Sequence, residues 1–218
     1  APVAINEFKR TAADLHYGEY LEERKPLNGK KVAIIGAGPA GLSVAYFLRL
    51  EGVASDIYDM NPKPGGMLRY GIPEYRLPND ILQKEVDNIT ELGAKVFFNK
   101  KLGDNLSFKE LKSNYDAVLL AVGSQQGTSI GCEGDDNPNV FSGIDFLKKM
   151  ELSGSRFNFK GKTVAVIGGG NTAMDCCRTA VRCGASKVYV VYRRTENEMP
   201  ANPIEIHESK LEGVEYMF

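Results

Sequence analysis

Hydrophobic positions along the chain fall into short runs whose spacing alternates between strand-like and helix-like, a pattern that predicts an α/β fold. Val32-Ala33-Ile34-Ile35 is an apolar, β-branched run that predicts a buried strand. Leu42, Ala45, Tyr46 and Leu48 follow on a helical period ending near Gly52, and residues 55–59 read as a second strand, closing a βαβ unit of about thirty residues. Residues 61–78 form a loop rich in proline and glycine, longer than a simple connection and so a candidate functional segment. Beyond it, Leu82, Val86, Ile89 and Leu92 mark the inner face of an amphipathic helix stopped by Gly93. A strand is predicted over 95–99, a capping box from Ser107 to Glu110 opens a short helix, and residues 117–122 read as a strand buried on both faces. Residues 127–139 turn to Gly, Asp, Asn and Pro, marking a surface connection.

After a helix near 144–152 the first pattern returns. A strand over 163–167 leads into a glycine turn, a helix over 171–183 and a strand over 187–192; a further helix is capped by Asn202 and stopped by Gly213 before a last strand begins at Val214. The two turns start at Gly36 and Gly168, 132 residues apart, so the chain carries two copies of one unit. The expected fold is α/β with two Rossmann-like dinucleotide-binding domains, both incomplete. Residues 1–28 are a polar leading segment with a helix over 6–15, residues 29–158 the first domain and residues 159–218 the second.

Composition narrows the partners. Lys and Arg number 27 against 28 Asp and Glu, with no long block of one sign, which removes the electrostatic footprint of a nucleic-acid or anionic-membrane binder. The uncharged stretch over 32–48 imitates a membrane span, but Gly36, Gly38, Pro39 and Gly41 interrupt it and it is too short, so no span is expected. The four cysteines include no Cys-x-x-Cys pair and no histidine at ligand spacing, so no metal site is drawn from them. They read as free thiols of a reducing compartment, the cytoplasm. Beginning at Ala1 rather than Met, the chain reads as a processed or excised piece.

The excess of glycine, 23 residues, falls largely in turns. A pyrophosphate sits on a helix N-terminus when no side chain blocks its approach. In the first unit Gly36 makes the turn, Gly38 admits phosphate and Gly41 lets helix and strand pack; in the second, Gly168 and Gly170 take those roles and Ala173 fills the third. Asp59, at the end of the second strand, is placed to accept hydrogen bonds from a ribose. The matching region of the second unit reads Tyr192-Arg193-Arg194, and two guanidiniums there suit a 2′-phosphate, hence NADP(H). Two such units are what a flavoprotein reductase needs, FAD on one and reduced nicotinamide on the other, with loop 65–73 lining the flavin ring.

Three other readings fit parts of the sequence. Gly127-Thr128-Ser129-Ile130-Gly131 matches a hydrolase nucleophile elbow, but polar loop follows the serine where that fold needs a helix, and the histidines are His16 and His207 alone. A disulfide reductase would need a redox cysteine pair by the flavin loop, and residues 60–78 contain no cysteine. A catalytically silent module that binds a nucleotide or docks a subunit stays open as the alternative.

The sequence resembles the NADPH-dependent small (beta) subunit of glutamate synthase and its relatives, among them the N-terminal part of dihydropyrimidine dehydrogenase and ferredoxin:NADP oxidoreductase subunits. The residues that carry the resemblance run from Gly36 to Leu42, Pro64 to Pro78, Ala121 to Gly123, Val166 to Asp175 and Tyr192 to Ala201. It implies FAD on the first unit and NADPH on the second, with electrons passed to 4Fe-4S clusters of the longer protein, absent from this chain, or to an electron-acceptor subunit or domain. By the same resemblance Gly36, Gly38, Pro39, Ala40 and Gly41 hold the FAD pyrophosphate and Asp59 its ribose. Gly66, Leu68 and Arg69 lie on the flavin side, with Gly123 also at the cofactor. Gly169, Gly170, Asn171, Thr172, Arg193 and Arg194 hold NADPH. Asp59 stands where that family usually has Glu. The family's cysteine-rich cluster domain and the closing parts of both units lie outside these residues.

Overall fold

A computed structural model describes residues 3–16, 23–153 and 157–218. Helix α1 (Ile5–Leu15) stands apart, with every residue exposed. The rest of the predicted leading segment falls partly on residues 1–2 and 17–22, outside the described residues.

The first unit is built from β1 (Lys31–Ile35), α2 (Pro39–Leu50), β2 (Ala54–Tyr58), α3 (Met67–Tyr70), α4 (Asn79–Glu91), β3 (Lys95–Phe97), α5 (Phe108–Asn114) and β4 (Ala117–Leu120). Its four strands are all parallel, in the order β3-β2-β1-β4, with Ile34 opposite Ile57 and Leu119. Ala33, Ile34 and Ile57 are fully buried because β1 and β2 are central strands covered by helices on both faces. One face packs Ile34 and Ile57 with Leu42, Ala45, Leu82 and Val86; the other packs Ala33 and Ile35 with Leu111.

After α6 (Gly143–Ser153), the second unit follows with β5 (Thr163–Ile167), α7 (Asn171–Arg182), β6 (Lys187–Val191), a 3₁₀ turn (Glu196–Glu198), α8 (Pro203–Leu211) and β7 (Glu215–Met217). The order β5-β6-β7, again parallel, repeats the β1-β2-β3 arrangement, so the repeat read from Gly36 and Gly168 is a repeat of topology. Helix α6 bridges the units: Phe146 and Leu147 pack with Cys176 of α7, while α6 also lies against α3.

Three expectations are corrected. The strand predicted as buried on both faces is an edge strand: Ala117 is exposed, Leu120 is 57 % exposed and Val122, just beyond, is 55 % exposed, because no strand pairs outside β4 among the described residues. The proline- and glycine-rich loop carries a helix of its own, α3, whose single turn is too short to leave a periodic signal. The strand over 95–99 ends two residues early, at Phe97, because Asn99 turns to a left-handed φ of 56°.

Candidate functional site

Each unit presents the same local construction at the carboxyl end of its first strand. Gly36, with φ 115°, receives no side chain because a Cβ there would lie 2.2 Å from the Ala121 carbonyl oxygen. Its N–H donates to Tyr58 O at 2.7 Å, and Gly168 N–H donates to Val191 O at 2.9 Å in the second unit. Gly41 lets α2 descend onto the turn: a Cβ there would meet Gly36 O at 1.9 Å. Ala173 fills the corresponding place on α7.

Gly38 and Gly170 differ from these. Both are helix N-caps in extended backbone, with φ −83° and −92°, conformations open to any residue. A Cβ on Gly170 would meet nothing within 4 Å, and one on Gly38 would make only an ordinary 3.6 Å contact with Gly66. Neither helix receives a side-chain cap at this end. Two helix N-termini therefore present uncapped N–H groups and positive dipole ends through openings that the chain's own packing leaves clear. These cradles fit the pyrophosphates of two dinucleotides.

Between them lies a cavity of about 320 Å³, lined on the first unit by Pro39, Met67 and Leu68 and on the second by Asn171, Thr172 and Asp175. Gly66 brings its wall against the first turn: with φ 54°, a Cβ there would sit 2.7 Å from the Gly38 Cα, and the neighbouring Gly65 N–H donates to Ala37 O at 2.8 Å.

Other predicted residues fall in distinct places. Asp59 is 4 % exposed and works within the turn: Oδ2 accepts from the Ala37 N–H at 2.7 Å, and Oδ1 from the Asn61 N–H at 2.7 Å. Arg69 is buried and spans the loop, with Nε donating to Pro64 O at 2.6 Å and its Nη groups to Asn79 and Gln83. It is thus a loop brace, whereas Leu68 beside it faces the cavity. Gly123 is exposed just after β4, with φ 65°. In the second unit the Tyr192 ring packs beneath Gly169, where a Cβ would lie 2.8 Å from Cδ2. Asn171 Oδ1 accepts from the Asn202 N–H at 2.8 Å, and Thr172 meets the cavity. Arg193 and Arg194 are exposed immediately after β6.

Sequence reasoning missed Tyr75, Arg76 and Asp175. Arg76 and Asp175 line the cavity and are bonded to each other at 2.7 Å. The available signal was a lone carboxylate inside an otherwise apolar stretch, Ala173-Met174-Asp175-Cys176-Cys177. Ser129 is a loop residue bonded to Asp135, with no helix after it, so no nucleophile elbow exists there. Among the described residues no group of three or more His, Cys, Asp or Glu is placed to hold a metal ion, and no helix is long and apolar enough to cross a membrane.

Two glycine turns, two parallel sheets and a shared cavity define a two-dinucleotide α/β oxidoreductase fold. Residues 30–217 match the family described as pyridine nucleotide-disulphide oxidoreductase, and the chain belongs to that family. It is 42% identical over 224 residues to the NADPH-Fe(3+) oxidoreductase subunit beta of Geobacter sulfurreducens, covering 99% of this chain and 33% of that protein. With the glutamate synthase [NADPH] small chain of Escherichia coli it shares 40% identity over 199 residues, 87% of this chain and 42% of the relative. The chain therefore spans less than half the length of these relatives. Among solved structures, Mycobacterium tuberculosis FprA in complex with NADPH superposes with a TM-score of 0.69 at 23% identity, over 84% of this chain and 47% of that one. That likeness is one of fold.

Proposed function

We propose that these residues form the dinucleotide-binding core of an oxidoreductase subunit, with FAD on the first unit and NADPH on the second, that delivers electrons to iron–sulfur clusters or a partner subunit. The observation that carries it is the pair of bare glycines, Gly38 and Gly170, at uncapped ends of helices whose first residues, Pro39 and Asn171, line one cavity. Flavin, when bound, supplies the acceptance of a hydride from reduced nicotinamide and its release as single electrons. The chain's part is binding and orientation. Gly36, Gly38, Pro39, Ala40 and Gly41 offer the first phosphate cradle, Gly168, Gly169, Gly170, Asn171 and Thr172 the second. Asp59 stiffens the first turn from within and lies at its ribose end, and Arg69 braces the loop that brings Gly66 and Leu68 to the cavity, while Gly123 lies beyond β4. Met67, Leu68, Ile72, Ile144 and Leu147 give the cavity apolar walls. Arg193 and Arg194, exposed at the end of β6, suit a 2′-phosphate. The domains divide as residues 29–158 and 159–218, and four free thiols suit a reducing cytoplasm.

The full-length protein should carry a flavin absorbance spectrum that bleaches on anaerobic addition of NADPH. A colourless protein that still binds nucleotide would establish the silent module instead. Replacing Arg193 and Arg194 by Ala should weaken NADPH binding by about tenfold to a hundredfold and leave NADH binding nearly unchanged. Equal loss for both coenzymes would refute the phosphate assignment.

A further inference from the structure

The two units are joined by more than the chain that connects them. Tyr75 and Arg76 leave the first unit's loop and enter the second. Arg76 Nη1 donates to Asp175 Oδ1 of α7 at 2.7 Å, and its Nε lies 3.1 Å from Glu205 Oε1 of α8. The other oxygen of Glu205 holds Arg178, which also pairs with Glu212 at 2.7 Å. The Tyr75 ring is covered by two guanidiniums, Arg182 at 3.8 Å and Arg178 at 5.1 Å from the ring centroid. Asp175 is 5 % exposed and lies one helical turn beyond Asn171, on the wall of the cavity. A planar guanidinium bonded to carboxylates on two helices restrains rotation as well as distance, which a single ammonium contact does not.

We propose that Arg76 is a positioning residue that fixes the orientation of the second unit against the first, and so sets how closely two rings meet in the cavity. The consequence for the rings rests on the functional reading above; the clamp itself does not. Burial pushes the Asp175 carboxyl upward, and Arg76 is the first of the groups opposing that rise, so its loss leaves a buried acid short of its counter-charge. Small errors in approach between reacting rings slow transfer steeply even when both partners stay bound.

The test uses the full-length, flavin-loaded protein with Cys132→Ser, spin-labelled at Lys84→Cys on α4 and Glu215→Cys on β7. Pulsed electron resonance reads the distance between units. We expect a narrow distribution in the parent, a broad or shifted one in Arg76→Gln, and partial recovery in Arg76→Lys. Flavin reduction at saturating NADPH should fall about tenfold to a hundredfold in Arg76→Gln, with flavin content and the NADPH dissociation constant within about threefold of the parent. Asp175→Asn provides a second variant should Arg76→Gln fail to fold. An unchanged distance distribution overturns the clamp whatever the flavin does. A broadened distribution with an unchanged reduction rate overturns the positioning role, as does a rate that falls only in proportion to lost flavin. A parent that holds flavin and is not bleached by NADPH overturns the functional reading instead, and the distances still decide the clamp.

Discussion

A Cβ added at Gly36 would lie 2.2 Å from a backbone oxygen, whereas one added at Gly170 would touch nothing. The first glycine is demanded by packing and the second by no contact within the fold, so the two respond differently to alanine. Gly36→Ala, forced into a left-handed φ against β4's end, should cost about 2 kcal/mol or more in urea unfolding. Gly170→Ala should change stability by less than about 1 kcal/mol, since its extended backbone suits alanine and the unfolded chain loses freedom, while the N-cap preference for glycine over alanine offsets that gain. The same variant should nevertheless lose NADPH affinity in a binding titration. Retained affinity would mean that no phosphate approaches there. At this scale the sequence was legible in the spacing of the glycines but silent on which of them the fold itself requires, because that depends on atoms such as Ala121 O that lie far along the chain.

Helix α7 buries eight successive residues, Ala173 to Ala180, and so has no solvent face over two turns. It packs on its own sheet, on α6 and α8, and beneath Tyr75 and Arg76. Burial pushes the Cys176 and Cys177 thiols up to about 12, which keeps them protonated and unreactive near neutral pH. A thiol reagent at pH about 8 should therefore modify Cys132 rapidly and the other three only after denaturant, as intact-mass measurement would register. Fast native modification of Cys176 or Cys177 would contradict the packing of α7. The βαβ elements were legible because strand, turn and helix are each written locally. The edge position of β4 was not, since an apolar run such as Ala117 to Leu120 looks the same at the centre of a sheet and at its margin. Helix α3 hid in a loop for want of length.

Across the whole molecule the joint between units carries its own charges, and these titrate in opposite senses. Burial opposes ionisation of Glu212, yet Arg182 and Arg178 overcome it and hold the carboxyl below its usual 4.5. Its contribution is thus present above pH 4.5 and is lost as pH falls through the lowered value. Asp175 is raised, so its contribution is greatest below pH 3.8 and declines as pH rises through the raised value. Urea unfolding of the parent and of Glu212→Gln should differ by about 2 kcal/mol near neutrality, and the gap should close as the solution is acidified below pH 4.5. A gap independent of pH would show that Glu212 acts through packing alone. No sequence pattern announced this joint. Arg76 and Asp175 are 99 residues apart, and only the folding of both units brings them together.

The bare contact between Gly66 and Gly38 ties the history of two segments. Gly66 cannot gain so much as a methyl group at that point unless the Gly38 backbone retreats, so a lineage that remodels the 61–78 loop must keep it in step with the first glycine turn. Substrate preference in this architecture should drift by exchanging the two as one inherited block, and chimaeras that cut between them should fold worse than chimaeras that cut outside.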